Sequence, residues 1–211
     1  MNDISIQRVL HALLRQKFSA FQEACFRELH PGQNYRHNWH IDAIAYQLER
    51  VASGELKRLL ITLPPRSLKS HLASISFPAW LLGQNPSCKI ICASYGDNLA
   101  IDFSNATRRV LKADWYRRLF PFVRLDPTKD TQQEMRTSAG GYRLTTTVGG
   151  VLTGRGGNIV IIDDPMKAAD AESQLQREKV IKWSSETVMS RLDNKREDAI
   201  IVIMQRLHVG D

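Results

Sequence analysis

Apolar residues recur at three- and four-residue intervals through the first thirty positions, at Ile6, Leu10, Leu13, Leu14, Phe18, Phe21, Cys25 and Leu29. That spacing predicts one amphipathic helix over 4–29, ended by Pro31-Gly32. A second helix is expected from an N-cap at Asn38, with Ile41, Ile44, Ala45, Leu48 and Val51 on one side, to a stop at Gly54. From Lys57 the period changes. Leu59-Leu60-Ile61-Thr62-Leu63 is a short apolar run closed by Pro64-Pro65, which reads as a buried strand entering a turn. A helical stretch over 69–82, a second strand-like run over 89–95 and a helical segment over 97–112 follow. Ile159-Val160-Ile161-Ile162, a helix over 170–192 and a last apolar run over 199–204 continue the alternation. Strands and helices alternating in this way predict βαβ crossovers and an α/β fold around a mostly parallel central sheet. Residues 131–150 break the rhythm. Strand-like 135–137 and 142–148 flank Ala139-Gly140-Gly141, the pattern of an antiparallel β-hairpin inserted as an elaboration of the core. The expected division is an N-terminal helical region, 1–55, and a sheet core, 56–211.

The composition, 43% hydrophobic and 24% charged over 211 residues, suits one globular α/β domain and argues against extensive disorder. The longest apolar runs fall far short of the ~20 residues that cross a bilayer. Asp3, Arg8, Arg15, Lys17 and Glu23 interrupt the first thirty residues, so no secretory apolar region forms and the expected location is the cytoplasm. Cys25, Cys88 and Cys92 are odd in number and lack C-x-x-C spacing, which reads as reduced core thiols. Lys+Arg exceed Asp+Glu by 29 to 22, a net +7 that favours an acidic partner such as nucleic acid or nucleotide phosphate. Arg108, Arg109, Lys112, Arg117, Arg118 and Arg124 cluster near Trp115, Tyr116 and Phe120; this reads either as a phosphate-backbone track or as a solvated helix face.

Two segments carry candidate chemistry. Leu63-Pro64-Pro65-Arg66-Ser67-Leu68-Lys69-Ser70 lies between a predicted strand and a predicted helix, where backbone amides and a helix dipole cradle phosphate. There Lys69 suits the β/γ oxygens and Ser70 a Mg²⁺ ion, in the manner of a Walker A loop. Leucines occupy both positions where G-x-x-x-x-G-K-[ST] has glycine, and the competing reading is a proline turn before an ordinary helix start. Ile161-Ile162-Asp163-Asp164-Pro165 brings two carboxylates to the end of a buried strand, as a Walker B segment does. Asp163 suits the metal and Asp164 the attacking water; a strand-ending turn is the alternative. Occurring together, the two segments supply both halves of a nucleotide site. Arg155, among Gly149, Gly150, Gly154, Gly156 and Gly157, could stabilise a transferring phosphoryl group, contact a DNA phosphate or solvate a turn. Gln205, at the end of the last strand, could sense the γ-phosphate, and Trp39 and His40 could flank an adenine. His37 and His40 lack further ligands, so no metal other than nucleotide-bound Mg²⁺ is assigned.

The ordered set of these segments resembles the ATPase domain of the large subunit of tailed-bacteriophage terminases. The likeness rests on Trp39-His40, on Arg58-Leu59-Leu60-Ile61 leading into Pro64-Pro65-Arg66 and Lys69-Ser70, on Pro78-Ala79-Trp80-Leu81-Leu82-Gly83 with Asn85-Pro86, and on Ala93-Ser94-Tyr95 with Leu99-Ala100. It continues through Thr153-Gly154-Arg155-Gly156, Ile161-Ile162-Asp163-Asp164-Pro165, Ser190-Arg191-Leu192 and Gln205-Arg206-Leu207-His208 with Asp211. The resemblance implies a P-loop NTPase core of the additional-strand type that uses ATP and Mg²⁺ to move double-stranded DNA. It implies Pro65, Arg66, Ser67, Leu68, Lys69 and Ser70 as the phosphate loop, Asp163 as metal ligand, Asp164 as hydrolytic carboxylate and Gln205 as the start of a coupling segment. Partners implied are the terminase small subunit, the portal protein and further copies in a ring. Two positions depart from the family: Leu68 stands where its loop, P-P-R-x-G-K-S, has glycine, and many relatives carry Glu at the place of Asp164. The family's following nuclease domain is not in this chain, so the expectation is a truncated or excised fragment without nuclease activity. A prophage remnant that keeps fold and DNA contacts without ATP turnover is the second reading, and a helicase-like ATPase the third.

Overall fold

The computed structural model describes residues 3–150, 152 and 154–208. Its seven strands are β1 Arg58–Thr62, β2 Lys89–Ser94, β3 Leu125–Asp130, β4 Glu134–Thr137, β5 Tyr142–Thr147, β6 Ile159–Asp163 and β7 Ala199–Met204. They form one sheet in the order β1-β7-β6-β2-β5-β4-β3. The first five in that order run parallel, β4 runs antiparallel to β5, and β3 runs antiparallel to β4. The α/β architecture with a mostly parallel sheet is therefore present.

Both faces of the sheet are covered, which is why β6 reads as an unbroken apolar run. Ile159 and Ile161 face one core, together with Phe18, Phe21, Ile41, Leu48, Leu72 and Phe77 from the helices. Val160 and Ile162 face the other, with Trp183, Val188 and Leu192. Residues of the N-terminal helices thus share a core with the sheet.

The predicted hairpin is more than an inserted elaboration. β5 is a full member of the parallel sheet, pairing Tyr142–Thr147 with Lys89–Ser94 of β2, and β4 and β3 extend the sheet beyond it. The turn between β4 and β5 runs through Gly140 at φ +88° and Gly141, where a Cβ would lie 2.3 Å from Pro86 O and 2.6 Å from Cys88 O. Gly141→Ala must push the backbone of 86–88 aside and is expected to destabilise the fold by roughly 1–3 kcal/mol, read as a lowered denaturation midpoint.

The single helix expected over 4–29 is two, α1 Asp3–Gln16 and α2 Phe18–Leu29, broken at Lys17 (φ −113°, ψ 110°). A distant side chain supports the break, because Phe18 N–H donates to Glu49 Oε1 at 2.7 Å. On α1, Ile6, Val9, Leu10 and Leu13 stay exposed, so only part of the predicted apolar stripe enters the core. α3 spans Trp39–Ala52, with Asn38 extended at its N-cap. Helix starts at Lys69, passes through a π-helical segment, His71–Ser76, and continues as α4, Phe77–Gln84. α5 Asp97–Lys112 and α6 Asp114–Leu119 follow. The helix expected over 170–192 is interrupted: a 3₁₀ turn at Ala168–Asp170, α7 Gln174–Lys182, a π-helical segment Trp183–Val188 and a 3₁₀ turn Met189–Arg191. Cys25, Cys88 and Cys92 are buried free thiols. No helix among the described residues is long and apolar enough to cross a membrane.

Candidate functional site

Parallel strands deliver their carboxyl ends to one edge of the sheet, and the loops leaving that edge carry most of the candidate residues. β1 ends at Thr62, and Leu63 N–H donates to Met204 O at the end of β7. The chain then makes a tight loop in which Ser67 Oγ donates to Pro64 O at 2.8 Å, and Arg66 and Leu68 both adopt φ +62°. Helix begins at Lys69, which is only 6% exposed. The loop thus has the left-handed turns of a phosphate cradle, with the positive end of a helix behind it.

Leu68 holds by force a conformation that glycine adopts freely. Left-handed backbone costs an L-residue about 1–2 kcal/mol, and the half-buried Leu68 side chain returns at most a comparable amount through its contact with the core. Leu68→Gly is accordingly expected to leave thermal stability unchanged or to raise it by up to about 1 kcal/mol. A loss of more than about 2 kcal/mol, ordinary for removing an unstrained packed leucine, would show that the loop does not adopt this geometry.

β6 carries Asp163 to the same edge, 1% exposed. Ser70 Oγ donates to Asp163 Oδ1 at 3.0 Å, and Ser74 Oγ donates to Asp163 Oδ2 at 2.5 Å. Burial pushes the Asp163 carboxyl up from 3.8 to about 6. The Ser74 hydrogen bond opposes this, the charge of Asp164 adds to it, and the Ser70 hydrogen bond and Lys69 charge pull downward. Asp164 follows at φ +46°, its N–H bonded to Ile203 O of β7 and its C=O accepting from Tyr95 N–H after β2. Its side chain is left half-buried at the rim.

The residues present suit a Mg²⁺ ion held with nucleotide. Two oxygens on adjacent corners of a Mg²⁺ octahedron, each 2.0–2.1 Å from the metal, lie about 2.9 Å apart. Ser70 Oγ and Asp163 Oδ1 already stand at 3.0 Å. No group of three or more His, Cys, Asp or Glu that could hold a metal ion occurs among the described residues.

Other candidates gather at this edge or fall away from it. Pro65 and Arg66 are exposed on the loop. His40 Nε2 lies 3.1 Å from Ser67 O, which brings the start of α3 against the loop, while the neighbouring Trp39 ring is 76% exposed. Gln205 follows Met204 directly and so sits beside the loop. Arg155 does not join them. Its guanidinium spans both oxygens of Glu134, at 2.8 and 3.3 Å, and lies 5.7 Å over the Tyr142 ring. Tyr142 pairs with Lys89 at the amino end of β2, whereas Asp163 pairs with Ser94 at its carboxyl end. Five residues of strand, about 16 Å, separate those levels. In the basic cluster, Arg108 and Lys112 pair with Asp130, and Arg109 with Glu28. Thr153 and Asp211, quoted in the motifs, lie outside the described residues.

Sequence reading missed Ser74. Its signal was present, since Ser74 stands one helical turn after Ser70 and shares its face. It also passed over Ser94, whose buried Oγ has no hydrogen-bond partner among the described residues and which pairs in register with Asp163. A cleft of about 780 Å³ lies between Arg15, Gln84, Asn158 and Asp198, away from all of this chemistry.

No family model and no curated protein matches the chain. Solved structures do. One is the crystal structure of the HK97 bacteriophage large terminase, similar at 12% sequence identity with a TM-score of 0.49. The match covers 87% of this chain and 37% of that one, so the chain spans little more than a third of the length of that terminase.

Proposed function

We propose that this chain is the ATP-hydrolysing module of a viral DNA-packaging motor of the terminase large-subunit kind. The observation that supports it most is the Ser70–Asp163 contact at 3.0 Å, which closes the two motif halves into one metal-and-phosphate site at the carboxyl edge of the sheet. The placement of β7 between β1 and β6 suits a P-loop NTPase with an additional strand. The ordered motifs from Trp39-His40 to Gln205 support the terminase assignment within that class.

In the proposed reaction, water attacks the γ-phosphorus of ATP, the bond from that phosphorus to the β–γ bridging oxygen breaks, and ADP leaves as phosphate forms. Pro65, Arg66, Ser67 and Leu68 wrap the phosphates, Lys69 neutralises the β/γ oxygens, and Ser70 and Asp163 hold Mg²⁺, which when bound supplies further charge neutralisation. Asp164 orients the water and accepts its proton. Gln205, beside the loop, passes the change in phosphate occupancy into the segment after β7. The pairing of Arg155 with Glu134, toward the other end of the strands, supports assigning the stabilising arginine to Arg66 or to another copy in a ring instead. Double-stranded DNA is the proposed cargo, with the small subunit and portal as partners.

One observation favours the second reading, an inactive prophage-derived remnant: the leucine at φ +62° where the family has glycine. Titrating the purified protein with a fluorescent ATP analogue, with and without Mg²⁺, separates the two. Saturable, Mg²⁺-dependent binding with phosphate release is the expected result. DNA binding without nucleotide binding would establish the remnant instead.

A further inference from the structure

Arg143 on β5 is the largest fully enclosed side chain among the described residues. Among the described residues no carboxylate pairs with it. Nη1 donates to Thr145 Oγ1 at 2.6 Å, Nη2 donates to Ser74 O at 3.2 Å, and Nε has no acceptor. The charged or titratable neighbours it senses are the Cys92 thiol and a second cation, Arg108. An enclosed guanidinium served by neutral oxygens alone bears a heavy desolvation penalty, and a hydrophobic residue of similar volume is often the more stable choice. Packing therefore does not account for an arginine here.

Its contact with Ser74 does. In α-helical register the acceptor Ser74 O belongs to the N–H four residues on, but residue 78 is proline and has none. Around this point the helix runs in the wider π register, with Phe77 N–H bonded to Leu72 O. Arg143 adds a side-chain donor to this carbonyl, beside the position where Pro78 offers none. Ser74 in turn donates through Oγ to Asp163 Oδ2, while Ser70 holds Oδ1. A chain of contacts thus runs from β5 through the π-helical turn to the carboxylate at the end of β6.

We propose that Arg143 is a positioning residue of the nucleotide site: by anchoring Ser74 it locks one oxygen of Asp163 in place and leaves the other, beside Ser70, directed at the cation. The inference rests on the nucleotide reading above. Partners that orient a metal-binding carboxylate typically change metal affinity or activity by roughly 10–100-fold when removed. Losing either link should therefore raise the Mg²⁺ requirement without weakening the phosphate contacts of the loop.

The test compares wild type, Arg143→Met and Ser74→Ala. Binding of the fluorescent ATP analogue is measured without Mg²⁺, and phosphate release is measured across a Mg²⁺ titration. Both variants are expected to bind the analogue as wild type does without Mg²⁺ and to need roughly 10–100-fold more Mg²⁺ for half-maximal turnover. Should Arg143→Met fail to fold, Ser74→Ala, which removes a single hydroxyl, decides the matter. Turnover by wild type with an unchanged Mg²⁺ profile in the folded variants overturns this inference alone. Failure of wild type to bind nucleotide at any Mg²⁺ concentration overturns the parent reading along with it.

Discussion

Replacing Lys69 by alanine is expected to lower ATP turnover by at least about 10²–10³-fold, the loss that follows removal of one preorganised charge or donor from a transition state. Lys69 is 6% exposed at the first turn of its helix, behind a loop whose left-handed residues turn the backbone toward the same point. An ammonium held in that position neutralises charge growing on the phosphate without having to be reorganised during the reaction. The same ammonium lowers the proton affinity of Asp163. Steady-state phosphate release, alongside a circular-dichroism check that the variant folds, measures the effect. A folded Lys69→Ala protein hydrolysing ATP near the wild-type rate would remove Lys69 from the site.

Asp163→Asn is expected to do two opposite things. Hydrolysis should fall at least about 10²-fold, because the anionic cation ligand is lost. Without Mg²⁺, the folded protein should become more stable at neutral pH. The carboxyl titrates at about 6 in the fold against an ordinary 3.8, so the folded state binds its proton more tightly than the unfolded state. Ionised Asp163 thus opposes folding above pH 6, and that opposition fades as pH falls from about 6 to 4. Two pKa units correspond to roughly 3 kcal/mol, an upper bound on the gain for the neutral amide. Chemical denaturation at pH 7.5 and pH 4.5 checks the sign: the variant should exceed wild type at the higher pH, and the difference should shrink at the lower. Added Mg²⁺ should stabilise wild type and leave the variant unmoved.

Much of this architecture was written in local patterns. The runs at 59–63, 89–95, 159–162 and 199–204 became β1, β2, β6 and β7; for β2, β6 and β7 the reason is that strands buried on both faces need apolar residues at nearly every position, whereas β1 buries only Ile61 fully and leaves Leu60 exposed. The segment 97–112 is α5 to the residue. What escaped was set by distant contacts. Nothing near Lys17 breaks a helix; the break is supported by Glu49, thirty-one residues away, and by Phe18 packing on Phe77 and Trp80. β3 has a proline and three charges in six residues, tolerable only because it is an edge strand. The candidate site was legible at Lys69, Ser70 and Asp163, where residue type and strand ends coincide. Arg155 was misleading, since a glycine-rich loop says nothing about which end of a sheet it visits. Arg143 gave no signal, because an arginine within Tyr142–Thr147 looks like any solvent-facing strand position.

The placement of β7 has a consequence for synthesis on the ribosome. β1 and β6 carry the two halves of the site, yet they touch β7 and not each other. β7 is the last strand of the sheet to leave the exit tunnel. Until residue 204 has emerged, a nascent chain holds β1 without a strand partner and the edge of β6 open where β7 belongs. Translation halted anywhere before that point would yield a product unable to bring Ser70 to Asp163, however well its helices had formed.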